Sequence, residues 1–188
     1  MSLVDIVAYH REDKEMTRIK ELKAAHVFQS LPFDIYKSVV GMKMIEVAQK
    51  SIKEKEENRP LFQFLYHYFQ FLDETNDNVA NVHLHFMLQL TTYLGFRPGG
   101  DCNEETSIFD LEEGVFVTES QNHVNYLDIQ QSRLLYKLLE CDKTSCHLVK
   151  MSRQDRGDLL KQLLNFYQLH IENFPTINSY TVLKEVME

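Results

Sequence analysis

Val40, Met44, Val47, Ala48 and Ile52 recur at spacings of four, three, one and four, which places them on one face of a helix. Asp34, just after Pro32, is the expected N-cap of that helix, and the charged run "KEKEENR" reads as its solvated end. Pro60 suits the first turn of the next helix, where its missing N–H costs nothing. That helix, "LFQFLYHYFQFLD", is apolar nearly all round and is expected to be central and buried. Asn76 or Asn78 is the expected cap of "VANVHLHFMLQLTTYL", and Gly95 suits the position just past its end, where φ is often positive. Residues 96–127 lose the helical period. Within them "SIFDL", "EEG" and "VFVT" predict a hairpin with Gly114 in or beside its turn.

The helical period then returns. Asp128 and Gln131 have capping-box spacing and open "IQQSRLLYKLLE". Ser152 and Asp155 open another helix with a stripe of Leu160, Leu163, Leu164, Tyr167 and Ile171, stopped by Pro175. The tail "SYTVLKEVME" predicts a short final helix with Val182, Leu183 and Val186 inward. At the other end, residues 4–28 read as two extended runs around the polar turn "EDKE". Two strands alone are marginal in water and need something to pack on. The expected fold is mainly α, a bundle of five to six helices with a small β-hairpin insertion, preceded by two strands.

Composition adds limits to this picture. A chain of 188 residues is long enough to bury a full core without staples. Tryptophan is absent, and 12 Phe and 9 Tyr supply the bulk. The net charge of −8 makes strong binding to a phosphate backbone by the chain as a whole an unfavourable expectation. Three cysteines, an odd number with no CxxC pair, do not form a disulfide framework. No leader pattern and no apolar run of about 20 residues is present, so the expectation is a cytoplasmic protein without a membrane partner.

Candidate chemistry is sparse. A zinc knuckle needs four soft ligands, usually in two close pairs, and the loop after Gly95 offers only Cys102. A site assembled from Cys102, Cys141, Cys146 and His147 or His123 is the alternative, which ligand counting disfavours. His83 and His85 lie two apart and point to different faces of a helix, a poor metal pair. Each histidine is expected at the surface or satisfied in the core. There is no GxGxxG, GxxxxGK[ST] or GxSxG, and the carboxylates fall in solvated runs, so no catalytic residue, metal or cofactor is assigned. The basic residues are the remaining signal. Lys150, Arg153 and Arg156 crowd the start of one helix and Arg97 follows Gly95, a pattern suited to an anion or a carboxylate-rich peptide.

Several stretches together resemble the RecO recombination mediator family in its Bacteroidetes form. They are "RIKELKAAHVFQSLPFDIYK", "NRPLFQFLYHYFQFLD", "NVHLHFMLQLTTYLGFRP", "FDLEEGVFV", "HLVKMSRQDR" and "YQLHIENFPTINSYTVLKEV". None is a strong motif; their order across residues 4–187 carries the resemblance. It implies that residues 1–28 are a remnant of an OB-fold, cut from a longer protein or naturally shortened, and that residues 29–188 are the C-terminal helical domain; the abrupt start "MSLVDI" suggests that residues 1–3 are vector-derived. Many relatives insert a four-cysteine zinc module after the element seen here as "LGFRP"; with one cysteine in that place, a metal-free hairpin is expected.

The resemblance further implies a non-enzymatic mediator of DNA repair. Such a protein helps exchange single-strand DNA-binding protein for RecA on single-stranded DNA, and it anneals strands. The implied partners are RecR, the acidic Phe-ending C-terminal tail of the single-strand DNA-binding protein, and DNA, the last mainly through the OB-fold. Arg97, Lys150, Arg153 and Arg156 are the candidate cations for the tail. An exposed strand edge also suggests a dimer through residues 4–28. The competing reading is a metal-binding or generic helical interaction module without a direct role on DNA.

Overall fold

The computed structural model describes residues 2–9, 18–53, 56–119 and 123–177. Strands β1 (Leu3–Tyr9) and β2 (Arg18–His26) form an antiparallel hairpin. Helices α1 (Ile35–Ser51), α2 (Arg59–Glu74) and α3 (Val82–Leu94) follow. A small sheet of β3 (Ile108–Asp110), β4 (Val115–Val117) and β5 (Tyr126–Leu127) interrupts the bundle. Helix α4 (Ile129–Glu140), a 3₁₀ turn at Cys146–Leu148 and helix α5 (Arg153–His170) complete it. The fold is mainly α with a small β part, as expected. The turn "EDKE" and the tail "SYTVLKEVME" lie outside the described residues.

The caps explain where the helices begin. Asp34 accepts hydrogen bonds from the backbone N–H groups of Tyr36 and Lys37 at 2.8 and 3.0 Å. Asn58 accepts from Leu61 N–H, with Pro60 in the first turn. Asp128 accepts from Gln131 N–H, and Ser152 with Asp155 forms a reciprocal capping box. Gly95 closes α3 at φ 86°, a left-handed conformation that a side chain would strain. The cap of α3 differs from expectation. Its N-cap is Asn81, while Asn78 forms a local turn to Ala80 N–H.

The burial order of the middle helices also differs. Helix α2 buries one face, through Leu61, Phe64, Tyr68, Phe69, Leu72 and Asp73, and leaves Phe62 63% exposed. The central element is α3, buried from Val82 through Leu88 and again at Leu90 and Thr91. It contacts α1, α2, α4 and α5. An apolar run marks a helix for the interior, but which of two such runs takes the centre is decided by how many neighbours surround it.

The predicted hairpin is present, with Phe109 opposite Phe116 and Gly114 at φ 70° in the turn. It has a third strand, β5, which pairs Leu127 with Phe109. Ser132 of α4 fastens this sheet to the bundle: its Oγ accepts from Phe109 N–H at 2.8 Å and donates to Leu127 C=O.

A second fastening holds the N-terminal segment. The Asp73 carboxylate, at the end of α2 and 4% exposed, accepts from the backbone N–H groups of Gln29, Ser30 and Leu31. Burial alone would raise its pKa; these three donors and nearby His26 bring it below the usual carboxylate value. The Lys37 ammonium donates to Asp73 C=O at 2.7 Å and to Ser30 Oγ at 2.6 Å, a cation placed at the carbonyl end of α2. The hairpin beyond is exposed along nearly its whole length, with Val4, Ile6, Ile19 and Leu22 on one face and Asp5, Lys23 and Glu21 on the other.

Candidate functional site

Between the start of α1, the α2–α3 connection and the first turns of α5 lies a cleft of about 930 Å³. Tyr36 and Lys37 form one wall, Arg153, Arg156 and Leu160 the opposite one, and Val79 and Ala80 add apolar surface between them. Two of the basic residues singled out from the sequence, Arg153 and Arg156, are therefore brought together. Arg97 and Lys150 are exposed and do not line the cleft. Arg97 follows the far end of α3, a helix about 18 Å long, whereas the cleft lies at its near end.

Arg156 is positioned. Its Nε donates to Asn81 Oδ1 at 2.9 Å. Asn81 Nδ2 in turn donates to the carbonyls of Cys146 and Val149 at 3.0 and 2.9 Å, which ties α3, the 3₁₀ turn and α5 into one unit. This explains why Asn81 does not cap α3 with its own side chain. Partial burial, with Arg153 nearby, holds the guanidinium pKa of Arg156 below its usual value, while Asp155 opposes that shift. The N-terminus of α5 itself is occupied by the chain's own carboxylate. Asp155 accepts from Ser152 N–H and from Gln130 Nε2, so the cations serve the side of the helix rather than its end.

The cleft also carries carboxylates, and each has a local role. Asp34 caps α1, Asp158 accepts from Gln154 Nε2 at 2.8 Å, and Asp77 lies 3.8 Å from His147 Nδ1. Lys37 is committed to the end of α2. Arg153 and Arg156 line the cleft together with Val79, Ala80 and Leu160.

His83 lies at the floor of the cleft with no exposed surface, and neither ring nitrogen has a hydrogen-bond partner. Burial first, then the cations Lys43 and Arg156, hold its pKa well below the ordinary histidine value. Lys43 of α1 is also fully buried, and burial lowers its pKa to about 7 against the attraction of Glu46. The sequence singles out neither residue: each histidine is expected at the surface or satisfied in the core, whereas His83 is buried without a partner, and Lys43 sits in an ordinary helical pattern. The only available signal was a histidine inside an apolar run.

Cys102 stands apart from the other two cysteines, which lie close to each other. Cys102 has Arg133 as its cationic neighbour, whereas Cys141 and Cys146 lie near Tyr68. Among the described residues no group of three or more His, Cys, Asp or Glu side chains is arranged to hold a metal ion. A second, smaller cleft of about 320 Å³ is lined by Tyr93, Leu94 and Phe96 with His170, whose ring stacks on Phe96 at 5.3 Å. Among the described residues, no helix is long and apolar enough to cross a membrane.

Comparison with known proteins places this architecture. The family profile described as "Recombination protein O C terminal" matches residues 32–178. The chain is 38% identical over 186 residues to the DNA repair protein RecO of Christiangramia forsetii, covering 99% of this chain and 77% of that protein. It is 32% identical to the protein of the same name from Phocaeicola vulgatus, with the same coverage, and 32% identical to that of Bacteroides fragilis over 189 residues, covering 100% and 78%. The helical body built around α3 and the cleft thus coincide with the matched region, and the chain belongs to the RecO family of recombination and DNA repair proteins.

Proposed function

We propose that this chain supplies the partner-docking helical domain of a non-enzymatic recombination mediator, and that the cleft beside α5 seats the acidic, Phe-ending tail of a single-strand DNA-binding protein. In this role it helps exchange that protein for RecA, together with RecR, while DNA contact and strand annealing belong mainly to the OB-fold. The observation that carries the docking role is the pairing of Arg153 and Arg156 with Val79, Ala80 and Leu160 in one cleft large enough for an aromatic side chain and its neighbours. A carboxylate-rich chain end with a terminal phenylalanine matches both parts of that surface. The net charge of −8 supports weak rather than strong DNA binding by this body. The exposed apolar face of the β1–β2 hairpin is the surface proposed for a dimer through residues 4–28.

The test is a fluorescence-anisotropy titration with a short acidic peptide ending in phenylalanine. Binding in the micromolar range, roughly −8 kcal/mol, is expected. Reversing both cleft cations, Arg153→Glu with Arg156→Glu, should weaken it by at least about tenfold. Reversing Arg97 and Lys150 should change it by less than about twofold beyond the general charge effect. No binding by the intact protein, or equal losses in the two double variants, refutes the assignment of the tail to this cleft.

A further inference from the structure

The proposed docking role does not require the unpartnered imidazole at the cleft floor, yet a buried polar group of this kind is costly. A neutral imidazole has one donor and one acceptor, and leaving either unmet inside a protein costs about 1–3 kcal/mol. Both nitrogens of His83 are in that position. Two residues along the same helix, His85 has both of its nitrogens satisfied, so α3 can accommodate a partnered histidine.

Resting on the docking role above, we propose that His83 is a binding residue of the cleft, and that it takes up a proton from solvent when an acidic chain end enters between Arg153 and Arg156.

The charges around His83 set the direction. Helix α1 contributes Asp34, Lys37 and the buried Lys43 with Glu46 beside it. Helix α5 contributes Arg153, Arg156 and Asp158, and the α2–α3 connection contributes Asp77. On the opposite side of α3, Tyr68 of α2 and the end of α4 meet His85 instead. With the cleft empty, burial and the cations Lys43 and Arg156 all oppose a positive charge on His83. A carboxylate in the cleft reverses that balance, because it attracts the imidazolium and offers an acceptor for an N–H. By linkage, whatever raises the proton affinity of His83 on binding must also tighten binding as protons become available. Affinity therefore increases as pH falls through the window between the unliganded and liganded titration midpoints. Lys43 adds to the same uptake near neutral pH, since its pKa of about 7 would also rise beside an anion.

Isothermal titration calorimetry of the intact protein with the acidic Phe-ending peptide, in phosphate and in Tris, counts the protons taken up. Uptake of about half a proton or more at about pH 6.5 is expected, with affinity rising about tenfold between about pH 7.5 and 5.5. His83→Gln should take up fewer protons on binding and show a flatter rise in affinity below about pH 6.5 than the parent, leaving only the Lys43 contribution nearer neutral pH. NMR of the His83 ring gives a second readout that needs no variant. Its titration midpoint should rise by about one pH unit or more when the peptide is present. Tight binding with no proton uptake, or an unmoved His83 midpoint, overturns the inference while leaving the docking role intact. Failure of the peptide to bind at any pH removes both.

Discussion

His83 and His85 leave α3 on opposite sides and meet opposite surroundings. On the His85 side both ring nitrogens are paired. His85 Nε2 lies 3.0 Å from the Cys141 carbonyl, which only accepts, so that nitrogen carries the proton. Nδ1 is then the acceptor for Tyr68 O–H at 2.8 Å. Burial lowers the His85 pKa, which keeps the ring in this neutral state despite the Cys141 carbonyl bond pulling the other way. Lys143 lies 5.7 Å from the ring centroids of both Tyr68 and Phe71 and covers this side. On the His83 side the same residue type has no hydrogen-bond partner and is flanked by cations under a cleft. One side of α3 is built for stability. The other carries the cost of unmet buried polar atoms, which the proposed ligand would offset.

The contrast gives a ranked set of expectations, each read by chemical denaturation. The largest effect is on the paired side. His85→Ala strands Tyr68 O–H and the Cys141 carbonyl and opens a void, and should lower stability by about 3 kcal/mol. Next, Lys43→Met on the cleft side should raise stability by about 2 kcal/mol at neutral pH. Its sign follows from linkage. Lys43 is lowered to about 7 from 10.5, so between those values the unfolded chain binds a proton that the folded chain does not. Native stability therefore rises with pH across that window, and the variant should lack the rise. A loss of stability in Lys43→Met would break the contrast.

Smaller still, Tyr68→Phe leaves His85 Nδ1 without its donor and should cost about 1 kcal/mol. Of similar size and opposite sign, His83→Leu removes two unmet buried polar atoms and should raise stability by about 1 kcal/mol near pH 7.5. The pH profile is more informative there. His83 is held well below 6.5, so as pH falls under that value the unfolded chain protonates first and the folded state loses stability. His83→Leu should flatten that acid limb, whereas His85→Ala should not flatten it without a large accompanying loss.

Local features of this fold were readable from the chain because local chemistry sets them. Asp34, the Ser152–Asp155 box and Gly95 stand where the helices start and stop, since each cap is a bond or a φ value within a few residues. Long-range features were not. Helices α2 and α3 are both rich in apolar residues, and only the packing of four helices around α3 makes it central. Strand β5 has two residues, too few for an alternation to show. In the cleft, Arg153 and Arg156 were visible as part of a basic cluster. Arg97 and Lys150 gave the same signal and do not line it. His83 and His85 were indistinguishable because their difference depends on partners 17 and 56 residues away from His85.

The docking role of the cleft is tested most directly by an amide NMR titration of the intact protein with the acidic Phe-ending peptide. Shifts concentrated at Lys37, Asn76 through Ala80 and Arg153 through Gly157 are expected. Shifts confined to the smaller cleft around Phe96 and His170, or none at saturating peptide, would contradict it.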